Sequence, residues 1–338
     1  MDFRHLFMRF ITPILIISFM ISGCSSVSLG EPAPTEVEII IDPAELITEA
    51  YTPEPTNTLR PTKTPTLEPT EGPTIEPSPT NTLDPFNTLI FEGKQLMVDE
   101  DFDSAIAKFT EAIQMDPASP LGYFNRGRAY TAIGRFDDAI TEYNFALNYD
   151  PNFMEALNAR GVTWSQKGQN SQAILDFNKA IEMDPNSISG YTNRGIAYMN
   201  QENYEEALSD FDKAVELEPD NPETYYNRGQ LYMLLGQLDT AIADFSQALA
   251  IIPDNVEALS NRALAYIQKE EYDLAAKDFS AAIEKDPTLI LAYFYRGFSY
   301  AELGQISDAI KDLQYVVENS QDADFIEQAT KKLEELGE

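Results

Sequence analysis

The run Tyr123-Phe124-Asn125-Arg126-Gly127-Arg128-Ala129-Tyr130 decides the fold, because its core keeps coming back. Asn125-Arg126-Gly127 returns as Ala159-Arg160-Gly161, Asn193-Arg194-Gly195, Asn227-Arg228-Gly229, Asn261-Arg262-Ala263 and Tyr295-Arg296-Gly297, each copy thirty-four residues after the last. A fixed period of this length marks a chain of supersecondary units, each unable to bury its apolar face alone. Seven such units occupy residues 86–323.

Let Gly127 be position 8 of its repeat and Pro151 position 32. Positions 4, 8 and 11 then share one face of a first helix, and 20, 24 and 27 one face of a second. Position 8 is small throughout (Gly93, Gly161, Ala263). Position 20 is always alanine (Ala105, Ala139, Ala173), and position 24 is aromatic up to repeat 6 (Phe109, Tyr143, Phe177) and Leu313 in repeat 7. Small residues at 8 and 20 let two backbones approach, and the aromatic fills the space beside them. Proline at 32 stops the second helix, since it cannot donate the next backbone bond and disfavours helix in the residue before it.

These positions resemble the tetratricopeptide repeat family. The resemblance implies an all-α fold: a right-handed superhelical solenoid of seven helix pairs, with first helices lining the concave surface and second helices the convex one. Repeat 7 departs at its end, with Val316 at position 27 and Gln321 in place of proline. Phe325, Ile326, Ala329, Leu333 and Leu336 then form an apolar stripe, the pattern of a C-terminal capping helix over 324–338 that closes the last repeat and turns its other face to water.

Position 7 carries arginine in repeats 2 to 7 (Arg126 to Arg296), and position 23 a carboxylate (Glu142, Asp176, Asp210, Asp244, Asp278, Asp312). Repeat 1 has Glu92 and Lys108, so both signs reverse together. That exchange predicts an ion pair between the two helices of one repeat, which sets geometry more than it adds stability.

Residues 1–23 read as an export signal: Arg4 and Arg9, then an apolar run over 11–20 too short to remain as a span. Ile21-Ser22-Gly23-Cys24 resembles a bacterial lipobox, which implies cleavage before Cys24 and its lipidation, palmitate included. Cys24 is the chain's only cysteine, so no internal disulfide can form. Acyl chains at that residue would anchor the protein to a membrane. Residues 24–85, rich in Thr, Pro and Glu, have too little apolar surface to fold and read as a tether. Within it, Val37-Glu38-Ile39-Ile40-Ile41 and Ala44-Glu45-Leu46-Ile47 are more apolar; a docking segment and a stickier piece of tether are both open.

The formal net charge is −33, most of it on residues 86–338. Such a chain repels phosphate backbones and has no basic stripe, which excludes nucleic acid as a partner. The only histidine, His5, leaves with the signal, and with Cys24 lipidated no free thiol remains. Nucleophile–histidine and histidine–metal arrangements go with them. Asp99, Asp101 and Asp103 alternate like a calcium loop but lack its glycine and closing glutamate. We expect no enzyme activity, no cofactor and no metal.

In the family, positions 2, 5, 6, 9, 12 and 13 of the first helix look into the groove. Position 6 is Asn125, Asn193, Asn227 and Asn261, interrupted by Ala159 and Tyr295. An amide donates and accepts, so a row of them can pair with the backbone of an extended peptide. This is similar to the asparagine ladder of O-linked N-acetylglucosamine transferases, whose catalytic domain is absent here. Toward the C-terminus the groove turns apolar: Tyr226, Leu264, Phe294 and Phe298, with Met233, Leu234, Ile267 and Leu291, predict an exposed patch. Lys94 and Arg128 make the first two repeats more basic at position 9. The resulting expectation is a lipid-anchored, extracytoplasmic scaffold of the cell envelope, held by the cell membrane or outer membrane, that binds protein or peptide ligands. An envelope assembly or secretion accessory and a cell-wall or carbohydrate binder remain open beside it.

Overall fold

A computed structural model describes residues 84–338. The signal, Cys24 and the tether up to residue 83, including the segment 37–47, lie outside the described residues. Fifteen helices and no strand are present among the described residues, an all-α repeat fold. The chain divides into two compact units, one running up to Pro151 and the other from Asn152 to Glu338.

The first unit holds two helix pairs: α1 (Pro85–Val98) with α2 (Phe102–Met115), and α3 (Pro120–Ala132) with α4 (Phe136–Tyr149). The second unit holds five pairs and a final helix. The pairs are α5 (Met154–Gln166) with α6 (Asn170–Met183), α7 (Ile188–Met199) with α8 (Tyr204–Leu217), α9 (Pro222–Leu234) with α10 (Leu238–Ile251), α11 (Val256–Gln268) with α12 (Tyr272–Lys285), and α13 (Ile290–Glu302) with α14 (Ile306–Asn319). The last helix is α15 (Ala323–Leu336). In this second unit, the first helices of neighbouring repeats touch one another, as α7 touches α9 and α9 touches α11; neighbouring second helices stay further apart. First helices therefore line the inner side of this stack.

The period explains the packing. The alanines at position 20 and the aromatics at position 24 are fully enclosed, from Phe177 and Phe211 to Phe245 and Phe279. A Cβ placed on Gly195 would come within 2.8 Å of the Phe211 ring, and one on Gly127 within 2.7 Å of Tyr143. Glycine at position 8 is thus required by close approach, and Ala263 shows that one repeat has shifted enough to admit a methyl group. In repeat 7, Leu313 and Val316 are fully buried in the aromatic's stead.

The turn between the helices of each repeat passes through a left-handed residue at position 15. It is glycine at Gly134, Gly168, Gly236 and Gly304, and glutamate at Glu100 (φ 59°), Glu202 (φ 61°) and Glu270 (φ 62°). In four of six repeats the second turn opens on an Asp-Pro pair. Proline ends the helix, and the aspartate carboxylate accepts from the backbone N–H two residues on, as Asp184 does from Asn186 at 3.0 Å and Asp286 from Thr288 at 2.8 Å. Asp101, part of the alternating acidic run, caps α2 by accepting from the Ser104 N–H at 3.2 Å.

The capping helix is present. Asp322 caps its start by accepting from Asp324 and Phe325 N–H groups, and it ends at Gly337 in a left-handed turn. Ala329 is fully buried, and Phe325, Leu333 and Leu336 pack against the core of the last repeats. Its opposite face is exposed, as the amphipathic stripe requires.

Candidate groove and ion-pair lattice

Every position 7 arginine whose partner lies in its own repeat makes the expected ion pair. Arg194 binds both Asp210 oxygens through Nε and Nη2 at 2.8 and 2.7 Å; Arg262 does the same to Asp278 and Arg296 to Asp312. The reversed pair of repeat 1, Lys108 with Glu92, closes at 2.7 Å. The guanidinia of Arg194, Arg228, Arg262 and Arg296 also have a second reach that the sequence reading missed. Arg194 Nη1 donates to Asn178 at 2.6 Å, Arg228 to Asp212 at 2.7 Å and Arg262 to Ser246 at 3.0 Å. The acceptor in each case stands sixteen residues earlier, on the second helix of the preceding repeat. One arginine therefore ties its own repeat and the one before it. The signal was available, since position 25 carries Asn, Asp or Ser in these repeats. Tyrosines flank the same side chains: the Arg228 guanidinium lies 5.7 Å from the Tyr225 ring and 6.0 Å from Tyr232. Burial pushes the carboxyls of Glu142 and Asp210 above the ordinary carboxylate range, although Arg126 and Arg194 pull the other way. The partner Arg194 is raised, chiefly by its hydrogen bond to Asp210.

The position 6 asparagines divide into two kinds. Asn125 is enclosed, and its Nδ2 donates to the Leu121 carbonyl at 2.8 Å. Asn261 Nδ2 donates to the Glu257 carbonyl at 3.0 Å and to the Tyr226 hydroxyl at 3.1 Å. Asn193 and Asn227, on the neighbouring helices α7 and α9, make no such bond within the described residues. On either side of them, other groove positions hold polar atoms that are enclosed and have no partner: Asn158 Oδ1 and Gln166 Oε1 in α5, Ser260 Oγ and Gln268 Nε2 in α11. Gln166 and Gln268 stand at position 13 and were not singled out from sequence; two glutamines at one repeat position were the available sign. An enclosed polar atom without a partner costs free energy until water or a ligand meets it.

The apolar end is a correction. Leu264, Phe294 and Phe298 are buried, as are Met233 and Ile267; only Leu234 of the expected patch is exposed. Tyr226 is half-buried against Phe245, and burial raises its hydroxyl pKa. Phe294 meets Phe325 of the capping helix edge-on at 5.2 Å, and Lys332 of that helix sits 5.1 Å from the Phe298 ring. Bulky side chains at positions 5 and 9 fill the gaps between adjacent first helices, and the cap covers the last pair. Apart from Leu234, exposed apolar groove residues lie in the first unit: Phe91 (54% exposed), Val98 (58%) and Leu121 (40%).

Comparison with known proteins agrees with this architecture. Family models described as TPR repeat match residues 127–164, 165–202 and 197–236, and models described as Tetratricopeptide repeat match 92–144, 222–255, 256–289 and 291–322. A tetratricopeptide repeat protein from Parabacteroides merdae aligns at a TM-score of 0.56 and 21% identity, over 73% of this chain and 98% of that one. PilW, a type IV pilus biogenesis factor, aligns at 0.56 and 20% identity, over 60% of this chain and 94% of its own. Both likenesses are in the fold. No curated protein sequence matches the chain. With matching repeats from residue 92 to 322, the chain belongs to the tetratricopeptide repeat family.

Proposed function

We propose that the chain is a lipid-anchored scaffold of the cell envelope that holds an extended peptide of a partner protein along the inner side of α5, α7, α9 and α11. The observation that carries this reading is the row of uncommitted polar groups centred on Asn193 and Asn227. These two amides retain their donors and acceptors, and the unpartnered atoms of Asn158, Gln166, Ser260 and Gln268 continue the row on both sides. Side-chain amides suit peptide backbone, whose N–H and C=O alternate at every residue. The apolar residues Tyr226, Leu264, Phe294 and Phe298 then act behind the groove, by fixing the first helices. Cys24 and the tether supply the anchorage and reach in this reading.

The test is panning of a displayed random-peptide library on the full chain and on Asn193→Ala/Asn227→Ala. Enriched extended peptides that bind the variant roughly tenfold or more weakly, at unchanged melting temperature, support the groove, since two lost hydrogen bonds contribute about 1–3 kcal/mol. Peptides that bind both alike would place recognition elsewhere. A second reading, an envelope assembly accessory, is favoured by the lipobox-like motif at Cys24; deletion should then leave a membrane complex incomplete.

A further inference from the structure

We propose that the groove face of the first unit, formed by α1 and α3, is the docking site of the chain's own segment 37–47, with Arg128 taking one of its carboxylates. Three observations lead there.

Arg128 is the first. Seven of the eight described arginines make an ion pair or a hydrogen bond to a carboxylate; Arg128 makes none, in a chain where acids outnumber bases by more than two to one. It is not a freely hydrated side chain. It is half-buried, its guanidinium carbon lies 5.7 Å from the Phe124 ring centroid, and burial lowers its pKa. A guanidinium that gives up part of its hydration without an anion in place is unfavourable, and a carboxylate that arrives there gains a bidentate partner.

The surrounding surface is the second. Phe91 and Val98 are exposed on α1, and Leu121 on α3. On each helix these residues fall at spacings of three and four: Phe91, Lys94 and Val98 on one, Leu121, Phe124 and Arg128 on the other. The two helices touch. Together they present apolar groups around one uncommitted cation. In the second unit the large apolar residues at position 9 (Leu264 and Phe298) are buried instead.

The occupant is the third. Residues 37–47 read Val-Glu-Ile-Ile-Ile-Asp-Pro-Ala-Glu-Leu-Ile: five large aliphatic side chains, one more valine and three carboxylates. Thirty-six residues separate Ile47 from Asp84. A fully flexible linker of that length would span roughly 30 Å on average, and the eight prolines in this one extend it further, beyond the ~20 Å of α1. Charge decides between this segment and a separate acidic partner. A free acidic protein meets the long-range repulsion of an acidic domain. A tethered segment is held at an effective concentration on the order of millimolar, which short-range pairing with Arg128 can exploit.

Hydrogen exchange of the full chain, read by mass spectrometry, tests this. Backbone amides of 38–47 should exchange at least about tenfold more slowly than an unstructured chain, equally at high and low protein concentration. Arg128→Glu should abolish that protection, and Glu38→Arg/Glu45→Arg added to it should restore part. Ile40→Asp, which lies outside the repeats and leaves their folding untouched, should abolish it independently. Unprotected amides in the native chain, or protection that survives Arg128→Glu and Ile40→Asp, would overturn the proposal. Protection that vanishes on dilution would overturn it too, with a second copy as the occupant.

Discussion

The Tyr226 hydroxyl of one repeat accepts a hydrogen bond from Asn261 Nδ2 of the next at 3.1 Å. The sequence suggested both residues as ligand contacts. Their pairing makes them a brace between α9 and α11, with Gln230 Nε2 donating to the same hydroxyl at 3.0 Å. Tyr226→Phe should therefore leave two amide donors without this acceptor. We expect a loss of about 1–2 kcal/mol in stability and little change in peptide affinity, read as a lower melting temperature with an unaltered dissociation constant. A large affinity loss at unchanged stability would return Tyr226 to the binding surface.

The arginine lattice predicts a charge-reversal result. Arg194 is the cleanest site, because its second acceptor, Asn178, is neutral. Arg194→Glu places two carboxylates together in a half-buried setting and should cost about 3–5 kcal/mol. Adding Asp210→Arg should recover part of that, as Glu92 with Lys108 already does in repeat 1. Denaturant midpoints of the two variants measure it; no recovery would show that the pair's orientation cannot be exchanged outside repeat 1.

The left-handed turn residues predict a stabilisation. Glu100, Glu202 and Glu270 occupy a backbone region where four sister repeats have glycine. A side chain there costs about 1 kcal/mol, partly offset by glycine's greater freedom when unfolded. Glu202→Gly and Glu270→Gly should each raise the melting temperature slightly, and their effects should add because the sites are well separated.

Stability should also rise on mild acidification. Burial raises the carboxyl pKa of Glu142 and Asp210 in the folded chain above the unfolded value. The unfolded chain thus ionises first as pH increases. The contribution of these groups is complete below the unfolded pKa and is lost as pH rises through the folded one. Relief of repulsion among the many acids acts in the same direction. The melting temperature should be higher near about pH 5 than near about pH 8, and Asp210→Asn should flatten the slope. A melting temperature that rises steadily from about pH 5 to about pH 8 would contradict this.

What was legible in sequence follows from what repeats. Gly127 with Tyr143, or Arg194 with Asp210, recur at fixed positions, so one copy explains the others and the helix pairs follow. The groove was less legible, because its residues vary from repeat to repeat and their roles depend on neighbours. Position 9 is Arg128 in one repeat and Phe298 in another, and only packing reveals that the arginine is uncommitted while the phenylalanine lies under Lys332. Hydrophobicity alone suggested that Leu264 and Phe294 were exposed. Close-packed first helices bury them, leaving the polar atoms of Gln166 and Gln268 as the groups without partners.

A partner lying along the inner side of the second unit can be captured there by site-specific photocrosslinking in cells. A photoreactive residue at Ser189 or Glu223, both on the first helices, should yield partner adducts that disappear when Asn193→Ala/Asn227→Ala is added. The same residue at Glu216, on the exposed side of α8, should yield none. Adducts from Glu216 alone, or adducts at Ser189 and Glu223 that persist in the double alanine variant, would show that the partner is not held by the amide row.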